Sequence, residues 1–461
     1  MTLDLLVVLI YVAAMLLIGV YSFRRAKTQE DYLVAGRNLG PGFYLGTMAA
    51  TVLGGASTIG SVRLGYVHGI SGFWLCAALG VGIIGISLCL AKPLLKLKIF
   101  TVTQVLERRY NATTRHSSAL IMLVYGLMLA ATSVIGIGTV MQVLFGMPFW
   151  VAVLIGGGIV VAYSTIGGMW SLTLTDIVQF LIMTIGLVFV LMPMSLSDAG
   201  GWDALVAKLP ASYFDVTAIG WDTIITYFLI YFFGIFIGQD IWQRVFTARS
   251  SGVARVAGSA AGIYCVLYGL AMAVIGMTAK VLLPELDNVN NAFASIVQTT
   301  LPDGIRGLVI AAALAALMST ASAGLLAAST TAAQDIWPLF KGQSGSNSDA
   351  HVNRLFTFLL GALVLLIALL VSDVISALTM AYNLLVGGML IPLLGAIYWK
   401  RASTAGAISS MLLGSLTAVI FMLKDGLDAN TPIYYSLAVA AVSFVLISLC
   451  SGRSVQVVQA Q

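Results

Sequence analysis

Residues 46–62 read GTMAATVLGGASTIGSV, and this stretch decides the fold class because it joins the composition of a membrane span to residues that interrupt helices. It has no charged residue, and about 20 residues rising 1.5 Å each cross a hydrocarbon core of roughly 30 Å. Gly54 and Gly55 nevertheless stand near its centre, beside Thr51, Ser57 and Thr58. Unwound backbone at that depth survives only beside protein or a cavity. Two structures therefore stay open, a continuous helix that packs closely through small residues and a helix broken at the glycine pair.

The rest of the chain has the same apolar character. Of its 461 residues 60% are hydrophobic and 9% are charged, whereas a soluble domain has roughly 25% charged residues. We therefore predict an all-α integral membrane protein that forms one transmembrane domain over residues 1–461, with about thirteen spans. The predicted spans are 3–22, 41–66, 70–95, 117–143, 147–166, 172–194, 220–241, 253–283, 304–332, 354–372, 375–398, 403–423 and 431–450.

The basic residues predict the orientation, because cytoplasmic loops retain Lys and Arg. With the N-terminus outside and the C-terminus in the cytoplasm, the inner loops hold pairs such as Arg24–Arg25, Arg108–Arg109 and Lys400–Arg401. The first span has an acidic residue, Asp4, at its start and basic residues after its end, so we expect a retained helix rather than a signal peptide. The same distribution accounts for the net charge of +5 without a nucleic-acid partner.

A break at Gly54–Gly55 would have chemical consequences. Carbonyls that end the first half-helix can bind a cation, while amides that open the second favour an anionic group. Residues 227–244, YFLIYFFGIFIGQDIWQR, contain Gly234 and Gly238 and are a candidate for a corresponding element in the second half of the molecule.

Residues 307–330, GLVIAAALAALMSTASAGLLAAST, contain the densest group of hydroxyls. Ala316, Ser319, Thr320 and Ala323 share one helix face by their spacing, with Ser322 beside them. Sodium prefers oxygen ligands, so this face suits a sodium site next to a broken helix. An equally good interpretation is that the hydroxyls bond back to the preceding turn of their own helix.

Two charged residues lie within predicted spans and each allows two roles. Asp176 is either a functional intramembrane carboxylate or a group that complements the helix dipole at the cytoplasmic surface. Arg63 either extends toward the outer surface or clamps a carboxylate substrate.

Four stretches resemble the sodium:solute symporter family. They are DYLVAGRNLGP (31–41), YSTIGGMWSLTLTDIVQ (163–179), GQDIWQR (238–244) and AALAALMSTASAGLLAASTTAAQDIW (312–337). With the predicted span number and orientation, the resemblance covers about residues 1–450. It implies a LeuT-type fold of two inverted five-helix repeats, about 41–194 and 220–398, with one extra N-terminal and two extra C-terminal helices.

The resemblance also implies sodium sites. The main site would use the carbonyls of Ala50, Leu53 and Ala316 and the hydroxyls of Ser319 and Thr320. A second site, found in some members, would use Asp176, Ser319 and Ser322. Ala323 lacks the hydroxyl that some members have there, which puts the second ion in doubt.

Departures from the family pattern bear on the solute. Val52 and Ala56 are apolar where some relatives have Asp, Asn or Glu, which disfavours a sugar. Gly234 stands where sugar transporters often have a gating Tyr. A compact pocket would suit a small carboxylate or an amino acid, and its predicted residues are Val52, Ala56, Ser57, Arg63, Tyr231 and Asn383.

The resemblance thus implies a secondary active transporter in a bacterial inner membrane, in which sodium drives symport of a small organic solute by alternating access. Alternatives are a symporter that couples to protons through Asp176 and a membrane sensor that keeps the transporter fold. No catalytic grouping or metal motif indicates an enzyme, and no obligate protein partner is implied. The expected ligands are the solute, sodium and the lipid bilayer.

Overall fold

The structure, a computed structural model, describes residues 3–341, 350–371, 374–427 and 429–451. These residues are almost entirely helical and contain no β-strand. Helices of the first half are α1 (Leu3–Phe23), α2 (Gln29–Val34), α3 (Pro41–Val52), α4 (Ser61–His68), α5 (Trp74–Gly85), α6 (Ala91–Leu97), α7 (Thr103–Arg109), α8 (Ala112–Phe145), α9 (Phe149–Met183), α10 (Met192–Asp198) and α11 (Gly201–Lys208). Those of the second half are α12 (Trp221–Tyr227), α13 (Phe233–Ile237), α14 (Gln239–Thr247), α15 (Ser251–Leu282), α16 (Ala292–Thr300), α17 (Ile305–Thr331), α18 (Trp337–Lys341), α19 (Ala350–Leu370), α20 (Val374–Tyr398), α21 (Thr404–Asp425) and α22 (Thr431–Cys450).

Ten helical runs in the described residues are long and apolar enough to cross a membrane, and the bent pair of residues 221–237 and 239–247 adds an eleventh. Two of the runs, Ala56–Leu97 and Phe149–Asp198, have 42 and 50 residues, and 50 residues of α-helix extend for about 75 Å. Each contains a glycine with positive φ, Gly69 (66°) and Gly168 (52°). The prediction of thirteen spans counts each of these runs as two crossings, and that number stays a prediction.

The helix predicted over 41–66 is broken. Pro41 starts α3, which ends at Val52, and Leu53 has φ −87° and ψ 61°. The chain resumes with a π-helical turn, Ala56–Gly60, that leads into α4. The sequence left a broken helix and a continuous, closely packed helix as alternatives, and the structure has the break. Close packing is also present, because a Cβ on Gly54 would lie 2.4 Å from Thr320 Oγ1.

A second break lies in the segment 227–244. Gly238 has ψ 127°, and the helices on either side of it, α13 and α14, belong to a pair bent by 47°. This confirms the expectation that the second half has its own interrupted element.

Helix α17 is the central element. In the most apolar 18-residue part of its helical run, 94% of the residues are buried inside the protein, compared with 28% for α1. Helix α17 is therefore surrounded mainly by other helices. Asp4 of α1 fixes its start, because the carboxylate accepts bonds from Gly304 N (2.7 Å), Gly307 N (2.8 Å) and Arg306 Nε (2.7 Å). These contacts satisfy amides that a helix start would leave unpaired. They hold the start of α17 against α1.

Candidate functional site

The break in α3 leaves backbone carbonyls without amide partners. The last helical bond of α3 runs from Leu53 N to Ala49 O (3.2 Å), and the next backbone bond runs from Thr58 N to Gly54 O (2.9 Å). Between them, Val52 O accepts the Ser57 hydroxyl (2.8 Å). Within the described residues, no backbone amide bonds to the carbonyls of Ala50 or Leu53 across the break. These are two of the five predicted sodium ligands.

The hydroxyl of Thr320 reaches from α17 to this break. It donates to Thr51 O at 2.7 Å instead of bonding back to its own helix. The approach depends on Gly54, because any side chain there would overlap Thr320. A hydroxyl has one donor and two acceptor lone pairs, so Thr320 can keep this bond and still offer a lone pair to a cation. The predicted ligands Thr320, Ala50 and Leu53 therefore lie around one junction.

Ser319 points to a different neighbour. Its hydroxyl donates to Asp176 Oδ1 (2.7 Å), and Thr47 of α3 donates to Asp176 Oδ2. Arg244 of α14 pairs with the same carboxylate at 3.5 Å, and both charged side chains are fully buried. The alternative in which Asp176 complements a helix dipole at the cytoplasmic surface is therefore wrong. Asp176 is an interior carboxylate that connects α3, α9, α14 and α17.

The predicted second sodium site is only partly assembled in this geometry. Asp176 and Ser319 are in contact, but the Ser322 hydroxyl donates to Ser319 O at 2.9 Å, the back-bonding that the alternative interpretation expected. The guanidinium of Arg244 also occupies one side of the carboxylate. A second ion at Asp176, Ser319 and Ser322 stays a prediction.

The first break, at Gly54 and Gly55, and Asp240 of α14 line one small cavity. It measures about 20 Å³, which is room for one water molecule. Val52, Ala56 and Ser57, three of the predicted solute residues, line it together with Thr320 and Asp240.

The other three predicted solute residues do not line this cavity. Arg63 lies partly buried on α4. Tyr231 shares a 3.3 Å hydroxyl contact with Thr379, and Asn383 is buried with its Oδ1 lacking a hydrogen-bond partner. Their roles stay predictions.

Tyr382 of α20 closes the cavity on the side of Gly234. A Cβ on Gly234 would lie 2.1 Å from Tyr382 Cδ1, so the ring fills the space where the sequence lacks a side chain. The Tyr382 ring also makes edge contacts with Tyr125 (5.3 Å) and Tyr231 (5.2 Å). An aromatic from α20 therefore occupies the volume that the family resemblance assigned to a residue of the seventh span.

Asp240 is the site residue that sequence reasoning missed. It is the second residue of α14, two after the break at Gly238, and it is 2% exposed. The prediction placed it near the end of span 220–241, and thus near a surface. A carboxylate directly after a helix break was the available signal, since backbone breaks at membrane depth mark binding sites.

Comparisons with known proteins identify the family of the chain. A model of the sodium:solute symporter family matches residues 32–414. The chain is 27% identical to the sodium/pantothenate symporter of Escherichia coli K12, covering 95% of this chain and 94% of that protein. It is 26% identical to the sodium/proline symporter of Haemophilus influenzae Rd, covering 97% and 94% respectively. These relatives are transporters and not enzymes.

Solved structures show the same fold. A Na⁺-coupled sialic acid symporter superposes with a TM-score of 0.84 at 21% identity, over 99% of both chains. A nucleobase-cation-symport-1 family transporter superposes with a TM-score of 0.56 at 14% identity, over 91% of this chain and 93% of that one. The fold is thus the LeuT type that the resemblance implied. Because the family model matches most of its length, the chain belongs to the sodium:solute symporter family.

Proposed function

We propose that the protein is a sodium-coupled symporter that carries a small carboxylate or amino acid by alternating access. The observation that supports this most directly is the junction of the broken α3 with the hydroxyl of Thr320. Sodium there would meet the carbonyls of Ala50, Leu53 and Ala316 and the hydroxyls of Ser319 and Thr320. Neutral oxygen ligands of this kind suit a hard monovalent cation.

Sodium would stabilise the closed junction because its ligands come from two elements. Ala50 and Leu53 belong to α3 and its break, whereas Ser319 and Thr320 belong to α17. An ion that bridges both elements favours the arrangement in which they are in contact, and its loss favours separation. Solute binds beside the ion, in the cavity lined by Val52, Ala56 and Ser57. The cavity must open to admit the solute, and Arg63, Tyr231 and Asn383 then contact the bound solute.

The sodium gradient supplies enough energy for accumulation. One ion moving through about 100 mV gains roughly 2.3 kcal/mol, and a tenfold concentration ratio adds about 1.4 kcal/mol. Together, about 3.7 kcal/mol supports several hundred-fold accumulation of a neutral solute. A second ion at Asp176 would square that ratio.

The proposal includes a topology. The chain crosses a bacterial inner membrane about thirteen times, with repeats at about 41–194 and 220–398, the N-terminus outside and the C-terminus in the cytoplasm. The basic loops support this orientation. The two helix breaks at Gly54–Gly55 and Gly238, one in each half, support the repeats.

Proton coupling through Asp176 is the competing mechanism. A proton carrier must lose and regain its proton in each cycle, but Asp176 is paired with Arg244 and accepts two hydroxyl bonds. These partners favour the charged carboxylate, whereas full burial favours the neutral one, so Asp176→Asn decides between the mechanisms: it should abolish uptake only if Asp176 carries the coupling proton.

Uptake into proteoliposomes tests the proposal. The purified protein would be given an inward sodium gradient, an inward proton gradient or neither, with L-proline, pantothenate, sialic acid, glucose and uracil as labelled solutes. We expect uptake of a carboxylate or amino acid that requires the sodium gradient and is abolished when potassium replaces sodium. Uptake driven equally by the proton gradient without sodium would contradict the proposal.

A further inference from the structure

Asp240 is a buried charge to which the proposed sodium cycle assigns no role. It lines the cavity at the first helix break, and one of its oxygens accepts the Tyr125 hydroxyl at 2.9 Å. Among the residues that line the cavity in the described part of the chain, Asp240 is the only one with a formal charge. An intramembrane carboxylate is costly to maintain and indicates a functional partner.

The buried charges around Asp240 do not balance. Asp240 and Arg244 lie four residues apart on α14 and therefore on the same helix face. Arg244 makes its ion pair with Asp176, so one guanidinium is shared between two buried carboxyl groups. With both carboxyl groups ionised, the three side chains would have a net charge of −1. Because a buried uncompensated charge is unfavourable, that state requires one further positive charge, from a proton, a sodium ion or a bound ammonium group.

A second observation places this charge in the cavity. Ser133 of α8 is fully buried, its hydroxyl has no hydrogen-bond partner, and it lines the same cavity as Asp240. An unpaired buried hydroxyl costs free energy that a ligand would recover. The ring of Tyr382 also lines the cavity, and aromatic rings attract cations. A carboxylate, a free hydroxyl and an aromatic ring are complementary to an ammonium group.

We propose that Asp240 binds the ammonium group of the solute, so that the transporter selects amino acids and other zwitterions over simple carboxylates. The cavity, with room for about one water molecule, fits an ammonium head group, while the body of the solute requires the cavity to open. A carboxylate without an ammonium group would add a second negative charge beside Asp240. This inference rests on the proposed function and narrows its solute class.

The proposal separates the solutes of the relatives by chemistry. Proline, named for the Haemophilus influenzae relative, has an ammonium group, whereas pantothenate, named for the Escherichia coli relative, is an anion without one. We therefore expect a solute of the first type for this chain.

Matched pairs of compounds provide the test. The melting temperature of the detergent-purified protein would be measured in sodium and in potassium with L-proline and cyclopentanecarboxylate, L-alanine and propanoate, and L-leucine and 4-methylpentanoate. Pantothenate is added as a larger anion. We expect at least one amino acid to bind in sodium, with its deaminated twin binding about 30-fold more weakly or worse.

Variants identify the residue responsible. Asp240→Asn should remove the preference for the amino acid over its twin, and Asp240→Glu should restore at least part of it by returning the charge. Ser133→Ala should weaken binding of the amino acid without reversing the preference. Asp222→Asn, the same change at an exposed position of α12, is the matched control and should behave as wild type.

Each outcome has a definite meaning. The inference would be overturned if each amino acid and its deaminated counterpart bound equally, if only the anions bound, or if no amino acid bound. It would also be overturned if Asp240→Asn retained the full preference for the amino acid over its deaminated counterpart. A tenfold change in the sodium midpoint of Asp240→Asn without solute would assign the positive charge to sodium instead, and would also overturn it. Solute binding that is unchanged in potassium would contradict the proposed sodium coupling and leave the role of Asp240 to be decided by the pairs.

Discussion

Ser319 and Thr320 are adjacent residues of α17 whose hydroxyls have different partners. Thr320 donates to the carbonyl of Thr51 in the broken helix, and Ser319 donates to Asp176. Neither makes the back-bond to its own helix that is usual for these residues in a helix interior. Their outward direction is what makes this part of α17 suitable for binding an ion between elements.

Removal of either hydroxyl tests this role. We expect Ser319→Ala and Thr320→Ala each to weaken sodium binding by about tenfold, the loss of about 1.4 kcal/mol of ligand interaction. The measurement is the sodium concentration that gives half of the increase in melting temperature. Thr417→Ala removes an exposed hydroxyl that bonds back to Leu413 O on α21 and should leave the midpoint unchanged. An unchanged midpoint in both site variants would contradict the assignment.

Asp176 and Arg244 form a buried ion pair, so removing one partner leaves the other charge uncompensated. We expect Asp176→Asn to lower the free energy of unfolding by about 3–5 kcal/mol, as measured by denaturant titration in detergent. Arg244→Gln should have a similar effect, and the double variant should lose less than the sum of the two. Strictly additive losses would show that the pair contributes nothing.

At the scale of elements, the broken α3 depends on glycine for its contact with α17. We expect Gly54→Ala to abolish stabilisation by sodium, because the added Cβ would lie 2.4 Å from Thr320 Oγ1 and force the two elements apart. Gly158→Ala is the matched control, since a Cβ on this helical glycine of α9 would meet nothing within 4 Å. That variant should be neutral or more stable by about 0.5–1 kcal/mol. Normal sodium stabilisation in Gly54→Ala would contradict the proposed junction.

The elements also show which parts of the structure are predictable from sequence. Hydrophobic stretches and the resemblance of four segments were sufficient to predict the all-helical membrane fold and the family. The glycine pair at 54–55 indicated a possible break, but the sequence left a continuous, closely packed helix as the alternative. The contacts of Asp176 and Asp240 were not predictable, because their partners Arg244 and Tyr125 come from elements distant in sequence. Gly234 likewise gave no indication that a ring of α20 would fill its space.

At the scale of the whole molecule, the orientation follows from charge and is open to direct measurement. Native Cys76 and Cys265 are buried, whereas Cys89 and Cys450 are exposed, so introduced cysteines report on loops once Cys89 and Cys450 have been replaced by serine. We expect Ala218→Cys, in an exposed loop before α12, to react with a membrane-impermeant maleimide in intact cells. Lys27→Cys, exposed after α1, should react only after the cells are opened. The reverse labelling pattern would contradict the proposed topology.

The central claim is that sodium binds where the broken α3 meets α17, and the most direct measurement is the melting temperature of the purified wild-type protein as sodium replaces potassium at constant ionic strength. A ligand at about a hundred times its dissociation constant stabilises the folded state by roughly 2.7 kcal/mol, which a melting curve resolves. We predict a saturable rise with sodium that is lost in Thr320→Ala. No rise in wild type, or an equal rise in both proteins, would contradict the account.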